Sequence, residues 1–156
     1  MINDLTPLSG LVNLKILYLS NAKINNINSL SKLVNMRELF LHGTEVSDLT
    51  SLSKLLKLET LGLVGTRVND LSPLSGLVNL KRLYISKIEI GDVTPLKKLI
   101  KLKHLFLNGT EVSNVIPLNG LFNLEKLVLY GTKVSKGDVK ELRKELPHTE
   151  IKFDED

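Results

Sequence analysis

Leucine returns in one register every 22 residues. Leu11, Leu33, Leu55, Leu77, Leu99 and Leu121 open six units. In the first unit Leu14, Leu17, Leu19, Ile24, Ile27 and Leu30 fill the remaining apolar positions; in the second Met36, Leu39, Leu41, Val46, Leu49 and Leu52 do so. The units from 55, 77 and 99 keep all seven positions, and the sixth keeps the first five, through Val134. Residues 1–10 read as the back half of a further unit, with Ile2, Leu5 and Leu8 in register. A unit this short cannot bury its own apolar side, so stacked copies must share one continuous column. Nearly all of the 34 leucines among 156 residues are thereby accounted for.

Each unit reads as one turn of a coil. Its Leu-x-Leu step, from Leu17 and Leu19 to Leu127 and Leu129, has the alternation of a short half-buried strand. Neighbouring units run the same way, which predicts a parallel sheet. Turn-formers follow at Gly43-Thr44, Gly65-Thr66, Gly109-Thr110 and Gly131-Thr132. Then Asp48, Asp70, Asp92 or Asn114 precedes Ser51, Pro73, Pro95 or Pro117 at a fixed distance, which suits a capped single 3₁₀ turn. After Val134 the pattern changes. Ser135 with Asp138 resembles a capping box, Val139, Leu142 and Leu146 recur at helical spacing, and Pro147 stops the helix. Ile151 and Phe153 predict a last extended segment, followed by a solvated acidic tail, Asp154-Glu155-Asp156. Three phrases also recur 66 residues apart, such as NDLTPLSG at 3–10 and NDLSPLSG at 69–76, as duplication of a three-unit block would leave them.

The unit LxxLxxLxLxxTxVxDxxPLxx resembles a leucine-rich repeat, of the 22-residue type found in bacterial internalins and in protein-phosphatase regulatory subunits. Residues 69–80, NDLSPLSGLVNL, are especially similar to the internalin phrase. The resemblance covers residues 1 to about 134 and implies an α/β fold: a right-handed solenoid with a parallel sheet on its concave face and short 3₁₀ turns or loops on its convex face. The reading is one domain over 1–156: a half repeat at 1–10, six repeats at 11–134 with the last partial, and a helical C-terminal cap and acidic tail at 135–156. The family's buried asparagine ladder is replaced here by Ala22, Thr44, Thr66, Ile88, Thr110 and Thr132. Threonine hydroxyls suit backbone groups in the turn; Ala22 and Ile88 leave two rungs open. An internalin-like helical N-terminal cap, signal peptide and wall-anchoring tail are not read in this sequence, and the first strand, near 15–19, is expected to present an open edge.

Composition excludes several chemistries. Without cysteine there are no disulfides, thiolate metal sites or cysteine nucleophiles. No apolar run approaches the roughly 20 residues of a membrane span, and a net charge of +4 compels no nucleic-acid partner. His42 and His104 fall three strands apart, about 14 Å, too far to share a metal. The recurring aspartates, one per turn, read as turn caps rather than a calcium ladder. Neither a Ser–His–Asp cluster nor a phosphate loop is present, so no enzyme and no cofactor are expected. Lys81, Arg82, Lys87, Lys97, Lys98, Lys101 and Lys103 crowd units four and five, mostly on loops and the convex side, where a solvated face is expected rather than a nucleic-acid site.

Function is therefore sought on the outward strand positions. Between the strand leucines stand Tyr18, Phe40, Gly62, Tyr84, Phe106 and Val128. Just before are Ile16, Glu38, Thr60, Arg82, His104 and Lys126; just after are Ser20, His42, Val64, Ser86, Asn108 and Tyr130. Five of the seven aromatic residues fall on these 18 positions, and Tyr beside Arg is the kind of pair that dominates interface energies. The expectation is a non-catalytic protein-recognition module. Tyr18, Phe40, Tyr84, Phe106 and Tyr130 supply aromatic anchors, Arg82, His104 and Lys126 a basic column and Asn108 a polar contact, for a protein partner of acidic character. Two alternatives remain: self-assembly, as a homodimer paired through the N-terminal edge, and glycan or nucleic-acid binding on the same face.

Overall fold

A computed structural model describes residues 3–154. Seven strands of three residues form one parallel sheet in chain order. They are β1 (Ile16–Tyr18), β2 (Glu38–Phe40), β3 (Thr60–Gly62), β4 (Arg82–Tyr84), β5 (His104–Phe106), β6 (Lys126–Val128) and β7 (Glu150–Lys152). Each pairs with the next without offset, so that Leu17, Leu39, Leu61, Leu83, Leu105, Leu127 and Ile151 lie in one line. From Leu39 to Leu127 that line is wholly buried. Each such leucine contributes about 1.5–3 kcal/mol relative to exposure. Single 3₁₀ turns stand opposite the sheet, from Thr6–Leu8 to Ile116–Leu118. The α/β solenoid expected from the period is the fold observed.

Local chemistry explains why each coil turns where it does. Leaving the strand, the chain enters the left-handed region once per unit, at Asn21, Gly43, Gly65, Lys87, Gly109 and Gly131, with φ between 56° and 68°. Glycine occupies four of these positions without steric penalty; Asn21 and Lys87 carry one. The hydroxyls of Thr44, Thr66, Thr110 and Thr132 donate to the carbonyls of Leu41, Leu63, Leu107 and Leu129 at 2.7–2.8 Å. Units one and four have both the side-chain-bearing left-handed residue and the missing threonine, consistent with their shared 66-residue offset. Before each 3₁₀ turn an Asp or Asn side chain accepts the backbone N–H two residues on, from Asp4 through Asn26, Asp48, Asp70 and Asp92 to Asn114, at 2.8–3.0 Å. These are Asx turns. Ser51 stands where four other units have proline, and its hydroxyl is buried without a partner among the described residues.

The helix α1 (Lys136–Glu145) closes one end. Ser135 Oγ accepts the Asp138 N–H at 3.0 Å and donates to the Asp138 carboxylate at 2.5 Å. Val139, Leu142 and Leu146 are buried against the end of the column. The chain then returns as β7, extending the sheet past the last repeat. Asp154 is exposed but not merely solvated, as the tail was expected to be: its carboxylate accepts the Gly131 N–H at 2.6 Å. The rest of the acidic tail, and Ile2 of the half repeat, lie outside the described residues. At the other end, β1 pairs only with β2 among the described residues, and Leu14 and Leu17 are only partly buried.

Candidate functional site

On the sheet face, the residues flanking each buried leucine form two columns seven strands long. One runs Ile16, Glu38, Thr60, Arg82, His104, Lys126, Glu150; the other runs Tyr18, Phe40, Gly62, Tyr84, Phe106, Val128, Lys152. Because the register never shifts, aromatic residues in the second column meet face to face. Tyr18 stacks on Phe40 with ring centres 4.8 Å apart, and Tyr84 on Phe106 at 4.9 Å. Both separations lie in the favourable range for offset stacks.

Gly62 interrupts the column, and His42 fills the gap. A Cβ at Gly62 would collide with the His42 imidazole and stand 2.9 Å from Phe40 Cδ1. The ring of His42 thus lies across β3. Its Nδ1 accepts the Val64 N–H at 3.0 Å, and its ring contacts Phe40 at 5.6 Å and the edge of Tyr84 at 6.2 Å. Five rings, Tyr18, Phe40, His42, Tyr84 and Phe106, form one continuous run. Burial holds the His42 pKa below the usual imidazole value, because a charged ring loses hydration there. Tyr130, grouped by sequence with Tyr84 and Phe106, makes no ring contact among the described residues; it lies two residues beyond the column, past Val128.

The basic column is more nearly neutral than its sequence implies. Lys126 pairs with Glu150 at 3.0 Å, and Glu150 also holds Lys152 at 2.8 Å. His104 Nε2 lies 3.4 Å from Glu125, which binds Lys103 at 2.7 Å. The Lys103 and His104 contacts hold the Glu125 pKa below the usual carboxylate value, and those of Lys152 and Lys126 do the same for Glu150. Arg82 is the exception: its guanidinium reaches Thr60 Oγ1 at 3.4 Å and has no carboxylate partner among the described residues. Asn108 accepts the Ser86 hydroxyl at 2.5 Å, which fixes it beside β4.

Residues 56–98 match the sequence profile of leucine-rich repeats, in two copies. Among solved structures, internalin C2 of Listeria monocytogenes is similar at 30% identity and a TM-score of 0.90, over 99% of this chain and 67% of that one. The chain belongs to the leucine-rich repeat family. The internalin inlF of the same organism is similar at 26% identity and a TM-score of 0.88, over 99% of this chain and 47% of that one. A leucine-rich repeat protein of Leptospira interrogans shares the fold at 23% identity and a TM-score of 0.78, over 95% of this chain and 45% of that one. This leucine-rich repeat chain thus spans about two thirds of the first and less than half of the other two. No curated protein matches its sequence.

Leucine-rich repeat folds generally serve as protein-interaction modules and are typically non-enzymatic. In this one, His42 pairs with no carboxylate among the described residues and spends its free nitrogen lone pair on a backbone N–H. No group of three or more His, Asp or Glu among the described residues is placed to hold a metal ion. Sequence reasoning placed His42 and Gly62 on the outward face without assigning either a role. The signal was available: glycine is the one residue without a side chain in a column of Tyr, Phe and Val.

Proposed function

We propose that the aromatic run is the recognition surface of a non-catalytic protein-binding module. The observation that carries this reading is the continuity of five rings across five strands, β1 to β5, with Arg82 beside Tyr84 and no carboxylate bound to it among the described residues. Large rings held in place by stacking and by the short strands lose little freedom on binding, so their burial is retained as affinity. Arg82 supplies the site for a carboxylate on the partner. That acidic group is a single contact rather than a match to a whole basic column, because Lys126 and His104 are already engaged within the chain. Asn108 and Tyr130 border the surface.

The test is capture of a binding partner from the source proteome, followed by titration with variants. Tyr84→Ala with Phe106→Ala is expected to weaken binding at least about a hundredfold, since such anchors are each worth ~2 kcal/mol or more. Arg82→Ala should weaken it less and reduce its salt dependence. Unchanged affinity in the double variant, with the fold intact by circular dichroism, would end this proposal.

A further inference from the structure

A second surface lies on the flank of the solenoid, where each 3₁₀ turn leads back toward the sheet. In every unit the fourth residue donates its N–H to the carbonyl of the first, from Leu14 to Leu11 through Leu124 to Leu121, at 2.8–2.9 Å. The two residues between are the corners of an exposed turn, positions usually taken by polar residues, proline or glycine. Here the first corner is apolar in all six units: Val12, Val34, Leu56, Val78, Ile100 and Phe122. Each is 45–73% exposed.

The second corner locks these turns in line. Asn35, Asn79 and Asn123 donate to the carbonyls of Val12, Leu56 and Ile100 at 2.8–3.0 Å, and Lys57 and Lys101 donate to the side-chain oxygens of Asn35 and Asn79 at 2.7 Å. At the strand repeat of about 4.8 Å, six such turns form an apolar ridge roughly 24 Å long. An isolated exposed apolar residue needs no explanation; six aligned ones do.

Charge identifies what covers the ridge. The segments 9–15, 31–37, 53–59, 75–81, 97–103 and 119–125 hold ten of the 21 Lys and Arg but only two of the 17 Asp and Glu. This flank is therefore +8 in a chain of +4, and the rest of the molecule is −4. Lys15, Lys32, Lys54, Lys97 and Lys98 have no carboxylate partner among the described residues. Two such flanks repel each other, which disfavours a second copy. Protein interfaces favour aromatics and Arg and are poor in Lys. Here nine of the ten cations are Lys and five of the six corners are aliphatic. Stacking of nucleic-acid bases wants aromatic rings, of which the ridge offers one. A mainly aliphatic row bordered by lysines, five of them without a carboxylate partner among the described residues, matches a fluid surface with diffuse negative charge.

We infer that this flank docks on an anionic lipid surface, its apolar corners entering the interfacial layer and its lysines meeting the head groups. The attachment is peripheral: no helix among the described residues is long and apolar enough to cross a membrane. It is independent of the aromatic surface.

Co-sedimentation of the full chain with vesicles tests this, using phosphatidylcholine alone and with about a quarter phosphatidylserine. Binding is expected only with phosphatidylserine, and it should fall at high salt. Leu56→Ser, Ile100→Ser and Phe122→Ser together, and separately Lys54→Glu, Lys97→Glu and Lys98→Glu together, should each reduce it at least about tenfold. All six positions are exposed, so both variants should melt like the parent, and Tyr84→Ala with Phe106→Ala should leave vesicle binding unchanged. The inference is overturned if phosphatidylserine makes no difference or if either triple variant still binds. It is also overturned if an oligonucleotide or polyglutamate binds more tightly than the vesicles, or if light scattering shows a dimer that the apolar triple variant dissolves.

Discussion

Gly62 acts through an atom it lacks. Its bare Cα lets the His42 ring lie across β3 and join two stacked pairs into one run. Gly62→Ala should evict that ring and leave the Val64 N–H without its acceptor, at a cost of about 1–2 kcal/mol. The His42 pKa should then rise toward the ordinary imidazole value, because the burial that lowers it is relieved. An NMR titration of the His42 ring protons in both proteins measures this; an unmoved titration would mean the ring never depended on the glycine. In the parent the sign is clear. Burial favours the neutral ring, so this contribution to stability is complete above about pH 6.5 and declines as pH falls from there through the lowered value. Sequence alone marks Gly62 as an exception in its column. It does not reveal what fills the space, because the filling side chain belongs to the preceding unit and crosses between columns.

The elements repeat one device, and its chemistry differs among units in a usable way. Before the 3₁₀ turns Asp4, Asp48, Asp70 and Asp92 accept hydrogen bonds that Asn26 and Asn114 accept elsewhere with a neutral amide. The pKa of Asp48 is lowered by hydrogen bonds from the Thr50 hydroxyl and N–H, that of Asp70 by Ser72 and that of Asp92 by Thr94; Asp4 is lowered by the backbone N–H and hydroxyl of Thr6. A lowered carboxylate pKa stabilises the fold above the unfolded value, and this is lost as pH falls through the folded one, below about 4. Replacing Asp48, Asp70 and Asp92 together by Asn keeps each acceptor and removes its titration. Urea unfolding from neutral pH to below pH 4 should therefore show a smaller loss of stability in the triple variant than in the parent; parallel curves would contradict this. The turns were legible in the sequence because donor and acceptor lie two residues apart in every unit. The partner of Lys126 was not. Glu150 follows it by 24 residues, since the helical cap breaks the 22-residue step, so no repeat alignment pairs them.

At the scale of the molecule, the period dictates nearly everything that is buried and much less of what is exposed. Columns of leucine can be read straight down the sequence. The flank ridge is as periodic, but periodicity does not distinguish an apolar residue inside the coil from one on a turn corner; the backbone does. Of the cations expected to form a plain solvated face, Lys81, Lys97, Lys98, Lys101 and Lys103 fall in the segments that carry that ridge. The two ends of the stack also differ. α1 and β7 cover the last repeat, whereas Leu14 and Leu17 remain partly open. In a solenoid each unit draws stability from its neighbours, so protection should be graded along the chain. Hydrogen exchange is expected to be slowest in β3 through β6 and fastest around β1, and equal rates at the two ends would show that α1 contributes no cover. The sheet face carries one more property. The chain contains three tyrosines and no tryptophan, and Tyr18, Tyr84 and Tyr130 all stand on that face. Native tyrosine emission therefore originates there alone, from Tyr18 and Tyr84, each stacked on a phenylalanine, and from Tyr130; Tyr18 and Tyr130 are both exposed to water. Without any label, a fluorescence titration reports directly on occupancy of the aromatic surface, while binding confined to the lysine-rich flank proceeds in the dark.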